Sequence, residues 1–213
     1  MAVAPARAPR MTWRPPEDPL REKQVRFVTA KAERRRYEVG FAEDGALLWG
    51  GSPLRPEVAA AMRVLCNAVG EPDDGGIFVM TGRGTIYMAD QAAEAAGPYW
   101  FHHSSFVAAG PVAAAGILRF RIDRERVYLD EISDFSGHYQ PGIRHTRQVL
   151  VELLARGVDL AGLWVSGFHF NPPVPADLLL AEPTLFEPAT CVPEGAGAAA
   201  LPTGPGRVAP TSS

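Results

Sequence analysis

The sequence predicts one α+β domain in which about two or three helices accompany a strongly bent, mostly antiparallel (split) β-sheet. Apolar and polar residues alternate with period two in about seven or eight short segments, which is typical of strands that bury one face. Short glycine-rich turns join most of these segments, so neighbouring strands are expected to run antiparallel. Only a few stretches show the helical period.

The two ends of the chain differ in composition from its middle. Residues 1–20 combine prolines with scattered arginines, and residues 181–213 are rich in proline, glycine and alanine. Such segments bury too little apolar surface to offset the entropy lost on ordering them. We therefore expect a disordered leader, a single globular domain over residues 21–180, and a disordered tail.

Charge and apolar content argue against several classes of partner. A formal net charge of −3 provides no overall field that would attract nucleic acid. The sequence lacks the run of about 18 apolar residues that a membrane-spanning helix needs. Cys66 and Cys191 lie in a predicted helix and in the tail, so we expect no disulfide framework. We predict a cytoplasmic protein with neither a nucleic-acid nor a membrane partner.

The first half of the chain predicts a basic segment, a hairpin, a helix and a strand pair. Residues 21–36 are basic with few apolar anchors, which fits either a solvated helix or a docking helix for an acidic partner. Residues 37–49 alternate around a Glu-Asp-Gly turn and predict a hairpin. Residues 53–70 have the helical period and end in glycine. Two short apolar strands follow, over residues 77–80 and 85–88.

The second half holds most of the unusual chemistry. Residues 99–141 predict a strand, a small-residue turn, two further strands and a tight turn, and four of the five histidines lie in or against this stretch. Residues 142–156 form the best predicted helix, which Gly157 ends. A final strand is expected over residues 158–170.

The first polar segment is the run Phe-His-His-Ser-Ser-Phe-Val at residues 101–107. An extended backbone would place His103 with Ser105 on one face and His102 with Ser104 on the other. A histidine beside a serine hydroxyl has the geometry of a general base and its proton source. The glycine-flanked elbow that exposes a reactive serine is absent, so hydrogen-bonded roles in the core remain the alternative.

The second polar segment is Ser-Gly-His-Tyr-Gln-Pro at residues 136–141. Gly137 permits a tight backbone that presents His138, Tyr139 and Gln140 together. We expect the two polar segments to meet in one hollow, although such a turn can also satisfy its own backbone. The histidines lack the spacing of a known zinc motif, and we expect no metal.

Four stretches of the sequence resemble a known family: RRYEVGFAEDGALLWGGSPL, GGIFVMTGRGTIYMAD, HHSSFVAAGPVAAAG and SGHYQP. They resemble the conserved C-terminal region of plant IQM-type calmodulin-binding proteins, and related segments of fungal proteins and of bacterial toxin ends. The resemblance covers residues 34–164. The IQ motif is missing, because Gln24 follows Lys23 without the required Arg-Gly spacing, so calmodulin binding is not implied. The resemblance implies a non-catalytic module that binds a protein or a ligand.

The order of the predicted elements also resembles the split β-fold of ADP-ribosyltransferases. That resemblance implies an enzyme that acts on NAD by transfer or glycohydrolysis, with a nucleotide ligand or a protein acceptor, and we predict this activity with the binding module as the alternative. Tyr87 matches the second-strand aromatic residue, and Gln140 matches the later catalytic turn. Gly50 stands where the first strand should bear His or Arg, which departs from the pattern.

Cleavage of the nicotinamide–ribose bond passes through an oxocarbenium-like centre, which needs an oxygen at the ribose and a stacking ring. Gln140 would hold the ribose hydroxyl, although its amide lacks the charge of a carboxylate, which leaves slow transfer, hydrolysis or lost activity open. The predicted catalytic residues are His138, Gln140 and His103, and the predicted NAD-binding residues are Tyr87, Tyr139, Ser105, His102 and Ser104.

Overall fold

The structure, a computed structural model, describes residues 24–65, 73–96 and 98–182. Its strands are β1 (Gln24–Val25), β2 (Glu38–Phe41), β3 (Leu47–Trp49), β4 (Ser52–Pro53), β5 (Arg63–Val64), β6 (Asp73–Asp74), β7 (Gly76–Met80), β8 (Ile86–Ala89), β9 (Tyr99–Trp100), β10 (Ala114–Asp123), β11 (Arg126–Ser133), β12 (Trp164–Ser166) and β13 (Val174–Pro175). Its α-helices are α1 (Lys31–Arg34), α2 (Pro56–Ala61), α3 (Gln91–Glu94), α4 (Ile143–Ala155) and α5 (Ala176–Ala181). Two 3₁₀ helices span Arg35–Tyr37 and His103–Val107.

One large sheet organises the described part of the chain. It contains nine strands there, in the order β13-β12-β11-β10-β7-β8-β2-β3-β4, and two further strand pairs, β1–β9 and β5–β6, lie outside it. In this sheet β11 and β12 run parallel, and the other neighbouring strands pair antiparallel. The predicted mixed α+β class is therefore confirmed. The ADP-ribosyltransferase-like, split form of the sheet stays a prediction.

The sheet buries side chains on both faces. Along β7, Phe78 and Met80 belong to a first core and Ile77 and Val79 to a second, because successive side chains of a strand point to opposite faces. Helix α4 packs on the first core through Val149, Leu150 and Leu153. The second core holds Phe101, Phe106 and Tyr139 from the two polar segments. The polar segments therefore lie on the opposite face of the sheet from α4.

The predicted hairpins and the long helix are confirmed. Strands β2 and β3 pair antiparallel, as do β7 and β8. Helix α4 spans Ile143–Ala155, and Gly157 follows it with a φ of 78°, which favours glycine as a helix stop. The final strand is shorter than predicted, since β12 covers Trp164–Ser166.

The helix predicted over residues 53–70 is wrong in length. Helix α2 covers Pro56–Ala61, and Met62 then adopts an extended backbone with a ψ of 132°. Side chains from the start of α3 take the next backbone donors: the N–H of Arg63 donates to Asp90 Oδ1, and that of Leu65 donates to Gln91 Oε1. These bonds draw the chain into β5, which pairs with β6. Tertiary hydrogen bonds thus override the helical period.

Other predictions fall partly or wholly outside the described residues. The leader, Cys66, Cys191 and nearly all of the predicted tail lie there. The described part of the basic segment is not one helix, because β1, α1 and a 3₁₀ turn divide it. Across residues 24–65, 73–96 and 98–182, none of the helices combines the length and the apolar character needed to cross a membrane.

Candidate functional site

The topology brings the ends of two parallel strands together at one edge of the sheet. Strands β11 and β12 are parallel neighbours, with Ser133 opposite Ser166, and both strands end at that point. Loops that follow parallel strands emerge at the same edge, where α/β proteins commonly bind ligands. The loop after β11 carries Asp134 and the second polar segment. The loop after β12 carries Gly167, Phe168 and His169.

The first polar segment is not extended, and the predicted two-faced arrangement is wrong. Residues His103–Val107 form a 3₁₀ helix. The hydroxyl oxygen of Ser105 accepts a bond from the backbone N–H of His102 (2.9 Å), and the N–H of Ser105 donates to the carbonyl of His102 (2.9 Å). Serine side chains form such local bonds readily, which closes a turn where a strand was expected. Ala108 and Ala109 end the turn with positive φ angles.

The two polar segments meet through a pair of imidazole rings. The ring centroids of His102 and His138 lie 5.0 Å apart in an edge-to-face arrangement. On its other side His102 stacks on Trp100, with centroids 5.9 Å apart. Gln91 Nε2 lies 3.4 Å from His102 Nδ1 and donates to the carbonyl of Phe101 (2.9 Å). Burial lowers the pKa of His138, which favours its neutral form.

His103 lies in the interior beneath this pair. Its Nε2 lies 2.8 Å from the carbonyl oxygen of Gly116, and burial lowers the pKa of His103 to about 4. The ring is therefore neutral at pH 7, and its Nε2–H donates to the carbonyl. Gly116 is needed beside it, because a Cβ there would overlap the carbonyl oxygen of Ser133. A histidine held in this way supports the fold and does not offer Nε2 as a base.

Three more of the predicted site residues are buried in the interior. The hydroxyl of Tyr139 donates to the carbonyl of Gly110 (2.8 Å), and burial raises the pKa of Tyr139 to about 12. Ser105 is fully buried and accepts the bond from His102. Ser104 is fully buried too, and within the described residues its hydroxyl has no hydrogen-bond partner.

Three residues of the NAD prediction lie further out. Tyr87 is half-buried on β8, where its ring stacks with Phe106 at 6.5 Å, so it adjoins the first polar segment. Gln140 is exposed on the bend, with a φ of 47°. Its backbone N–H donates to the carbonyl of Ser136 (2.8 Å). Gly50 follows β3 and donates its N–H to the carbonyl of Glu38 (2.9 Å).

Sequence reasoning missed a pair of side chains at the same edge of the sheet. His169 Nδ1 lies 2.6 Å from Asp134 Oδ2, although 35 positions separate the two residues. The sequence offered one signal for it, a Ser-Gly-Phe-His stretch directly after an apolar strand. Across the described residues, no group of three or more His, Cys, Asp or Glu side chains is placed to hold a metal ion.

This geometry defines a mixed α+β domain whose polar segments are joined by an imidazole pair. Residues 59–145 match the family model of the IQ motif-containing protein middle domain, which supports the IQM-type family. The match begins in α2, contains both polar segments and ends at the third residue of α4. No curated protein and no solved structure matches the chain.

Proposed function

We propose that this domain is a protein-binding module related to the IQM-type proteins. The observation that carries the proposal is the match of residues 59–145 to the IQ motif-containing protein middle domain, because that match includes both polar segments. No calmodulin-binding role is carried over, since the IQ motif is missing from the sequence.

The hydrogen bonds made by the buried polar groups support binding rather than catalysis at the imidazole pair. A catalytic base needs an accessible lone pair near the proton that it removes. His103 is buried and bonded to a backbone carbonyl, and Tyr139 is bonded to another. Ser105 receives a backbone N–H. These bonds stabilise the turn and the bend, so they hold the outer rings in fixed positions.

We assign the binding surface to what we name the imidazole face: Tyr99, Trp100, His102, His138 and Gln140. Tyr99 and Gln140 are exposed, and the other three are half-buried. Aromatic side chains held rigid by a scaffold are the usual energetic anchors of protein interfaces, because they bury a large area at low entropic cost. Trp100 and the two imidazoles offer such anchors beside polar groups that can form hydrogen bonds.

The basic segment supports partner binding less well than the imidazole face. Arg26 forms ion pairs with Glu33 (2.5 Å) and with Glu94 (2.6 Å). Arg36 lies 3.2 Å from Glu94 as well. These contacts use acidic groups of the same domain to compensate two of the charges that an acidic partner would need.

The experiment identifies a partner and then measures its affinity with purified components. Proteins retained by the tagged chain are identified, and the dissociation constant of each purified candidate is measured by calorimetry. We expect Trp100→Ala and His138→Ala each to weaken binding roughly ten-fold or more, as hot-spot truncations do. Leu154→Ala is the control, because Leu154 is exposed on α4 across the sheet. Unchanged affinity in both face variants would overturn the assignment.

The second candidate function is cleavage of NAD by an ADP-ribosyltransferase-like site. The observation that favours it is the meeting of the two polar segments at His102 and His138. The test is release of nicotinamide from NAD by the purified chain, compared with His138→Ala and Gln140→Ala. Release by the wild type that both variants lose supports the enzyme, whereas no release from any of the three leaves the binding module alone.

A further inference from the structure

We propose that Asp134 and His169 form an acid–base site that hydrolyses carboxylic esters, separate from the imidazole face. The pair lies where β11 and β12 leave the sheet side by side. Asp134 lies within the match with the family model, whereas His169 lies beyond its end at residue 145. The site is independent of the proposed binding function.

The carboxylate of Asp134 is fully buried and accepts hydrogen bonds on both oxygens. Oδ1 accepts from the backbone N–H of Phe168 (2.5 Å). Oδ2 accepts from the backbone N–H of His169 (3.2 Å) and lies 2.6 Å from His169 Nδ1. Three donors of the loop after β12 therefore surround the two carboxylate oxygens, which act as their acceptors.

This arrangement fixes which nitrogen of His169 can act as a base. A carboxylate only accepts hydrogen bonds, so the proton of the neutral imidazole must lie on Nδ1. Nε2 then carries the lone pair. The side chain of His169 is 43% exposed, so a water molecule or a substrate can reach the ring. The same orientation of an imidazole by a buried carboxylate serves general-base catalysis in hydrolases on unrelated folds.

The backbone of the loop after β12 packs closely against the carboxylate of Asp134. Gly167 has a φ of 128°, and a Cβ there would overlap Asp134 Oδ1. The N–H of Asp134 donates to the carbonyl of Ser166 (3.1 Å), which ties the two strand ends together. Two backbone bonds already anchor the loop to Asp134. The bond from Asp134 to Nδ1 is therefore not needed to anchor the loop. Its effect is to orient the imidazole ring.

The neighbouring residue indicates the class of substrate. Phe168 is 65% exposed, and its ring contacts Phe135 edge-to-face with centroids 4.7 Å apart. This ring offers an apolar platform next to His169 in the chain. The charge of Asp134 is buried and bonded. The site therefore suits an uncharged ester with an apolar acyl or aryl group.

The step balances with water as the only co-reactant. Nε2 of His169 takes a proton from water while the water oxygen bonds to the ester carbonyl carbon. The tetrahedral intermediate collapses, the bond from carbon to the alcohol oxygen breaks, and Nε2 returns the proton to that oxygen. The products are a carboxylic acid and an alcohol. Asp134 stays ionised throughout and acts as a positioning residue.

The test measures hydrolysis of p-nitrophenyl acetate and p-nitrophenyl butyrate by the purified full chain. We expect His169→Gln and Asp134→Asn to lower kcat by about 100-fold or more with little change in KM, since general acid–base catalysis contributes about 10²–10⁴-fold. Phe168→Ser should raise KM, more for the butyrate than for the acetate. His145→Gln is the matched control and should leave both constants unchanged.

Two results would overturn the proposal. One is wild-type hydrolysis no faster than that by free imidazole at equal concentration, and the other is an unchanged rate in folded His169→Gln. If Asp134→Asn does not fold, as circular dichroism will show, nitrogen-15 NMR of the wild-type ring decides its role. A proton on Nδ1 supports the positioning role, and a proton on Nε2 in the neutral ring contradicts it.

Discussion

The buried imidazole of His103 makes the stability of the domain depend on pH in a way that one substitution should remove. Its pKa is about 4 in the folded state, because burial disfavours the charged ring, against about 6.5 in the unfolded chain. Between these values the unfolded state binds a proton that the folded state does not. The contribution of His103 to the free energy of unfolding is therefore largest above pH 6.5 and decreases as the pH falls towards 4.

The size of the effect follows from the two pKa values. A difference of about 2.5 pKa units corresponds to about 3 kcal/mol, at 1.36 kcal/mol per unit. The wild type should lose this amount between pH 7 and pH 4 beyond the loss caused by its other groups. His103→Gln can still donate to the carbonyl of Gly116 but cannot titrate, so its stability relative to the wild type should improve as the pH falls.

Urea denaturation of both proteins at several pH values between 7 and 4 measures this difference. All other titrating groups are common to the two chains, so their contributions cancel. The expected result is a change of about 3 kcal/mol in the stability difference across this range. A difference that stays constant with pH would refute the assignment of His103 as a buried neutral ring.

Three further predictions concern the stability of the domain and the length of chain that it needs to fold. Tyr139→Phe removes the hydroxyl bond to the carbonyl of Gly110 and should lower the free energy of unfolding by about 1–3 kcal/mol in urea, with the fold retained. Gly116→Ala forces a Cβ onto the carbonyl of Ser133 and should cost more than about 4 kcal/mol, visible as loss of a cooperative thermal transition; a mild effect would contradict the packing of β10 against β11. A chain that stops at residue 145 lacks β12, β13, α5 and most of α4, and it should fail to unfold cooperatively in calorimetry although it contains the whole family match.

The sequence predicted the elements whose signal is local. The helix observed as α4 follows from an apolar stripe at the helical period and a glycine stop. The hairpins follow from alternation around short turns. The meeting of the two polar segments was also expected, and His102 and His138 are in contact.

The sequence failed where distant residues decide the local structure. Helix α2 ends early because side chains near residue 90 bond the backbone of residues 63 and 65. The run at residues 101–107 is a different case, because it folds into a turn through a local bond from the His102 N–H to the Ser105 hydroxyl, which competes with the extended backbone that was predicted. The pair of Asp134 and His169 depends on the parallel register of β11 and β12, which no local pattern encodes.

The most direct test of the central claim, that the imidazole face binds a protein, is hydrogen–deuterium exchange with and without the purified partner. We predict slower exchange on binding at residues 99–103 and 136–141, because backbone amides beneath an interface are shielded and held more rigidly. Residues 143–155 of α4 should exchange at the same rate in both states. Protection confined to α4, or absent from both polar segments, would contradict the claim.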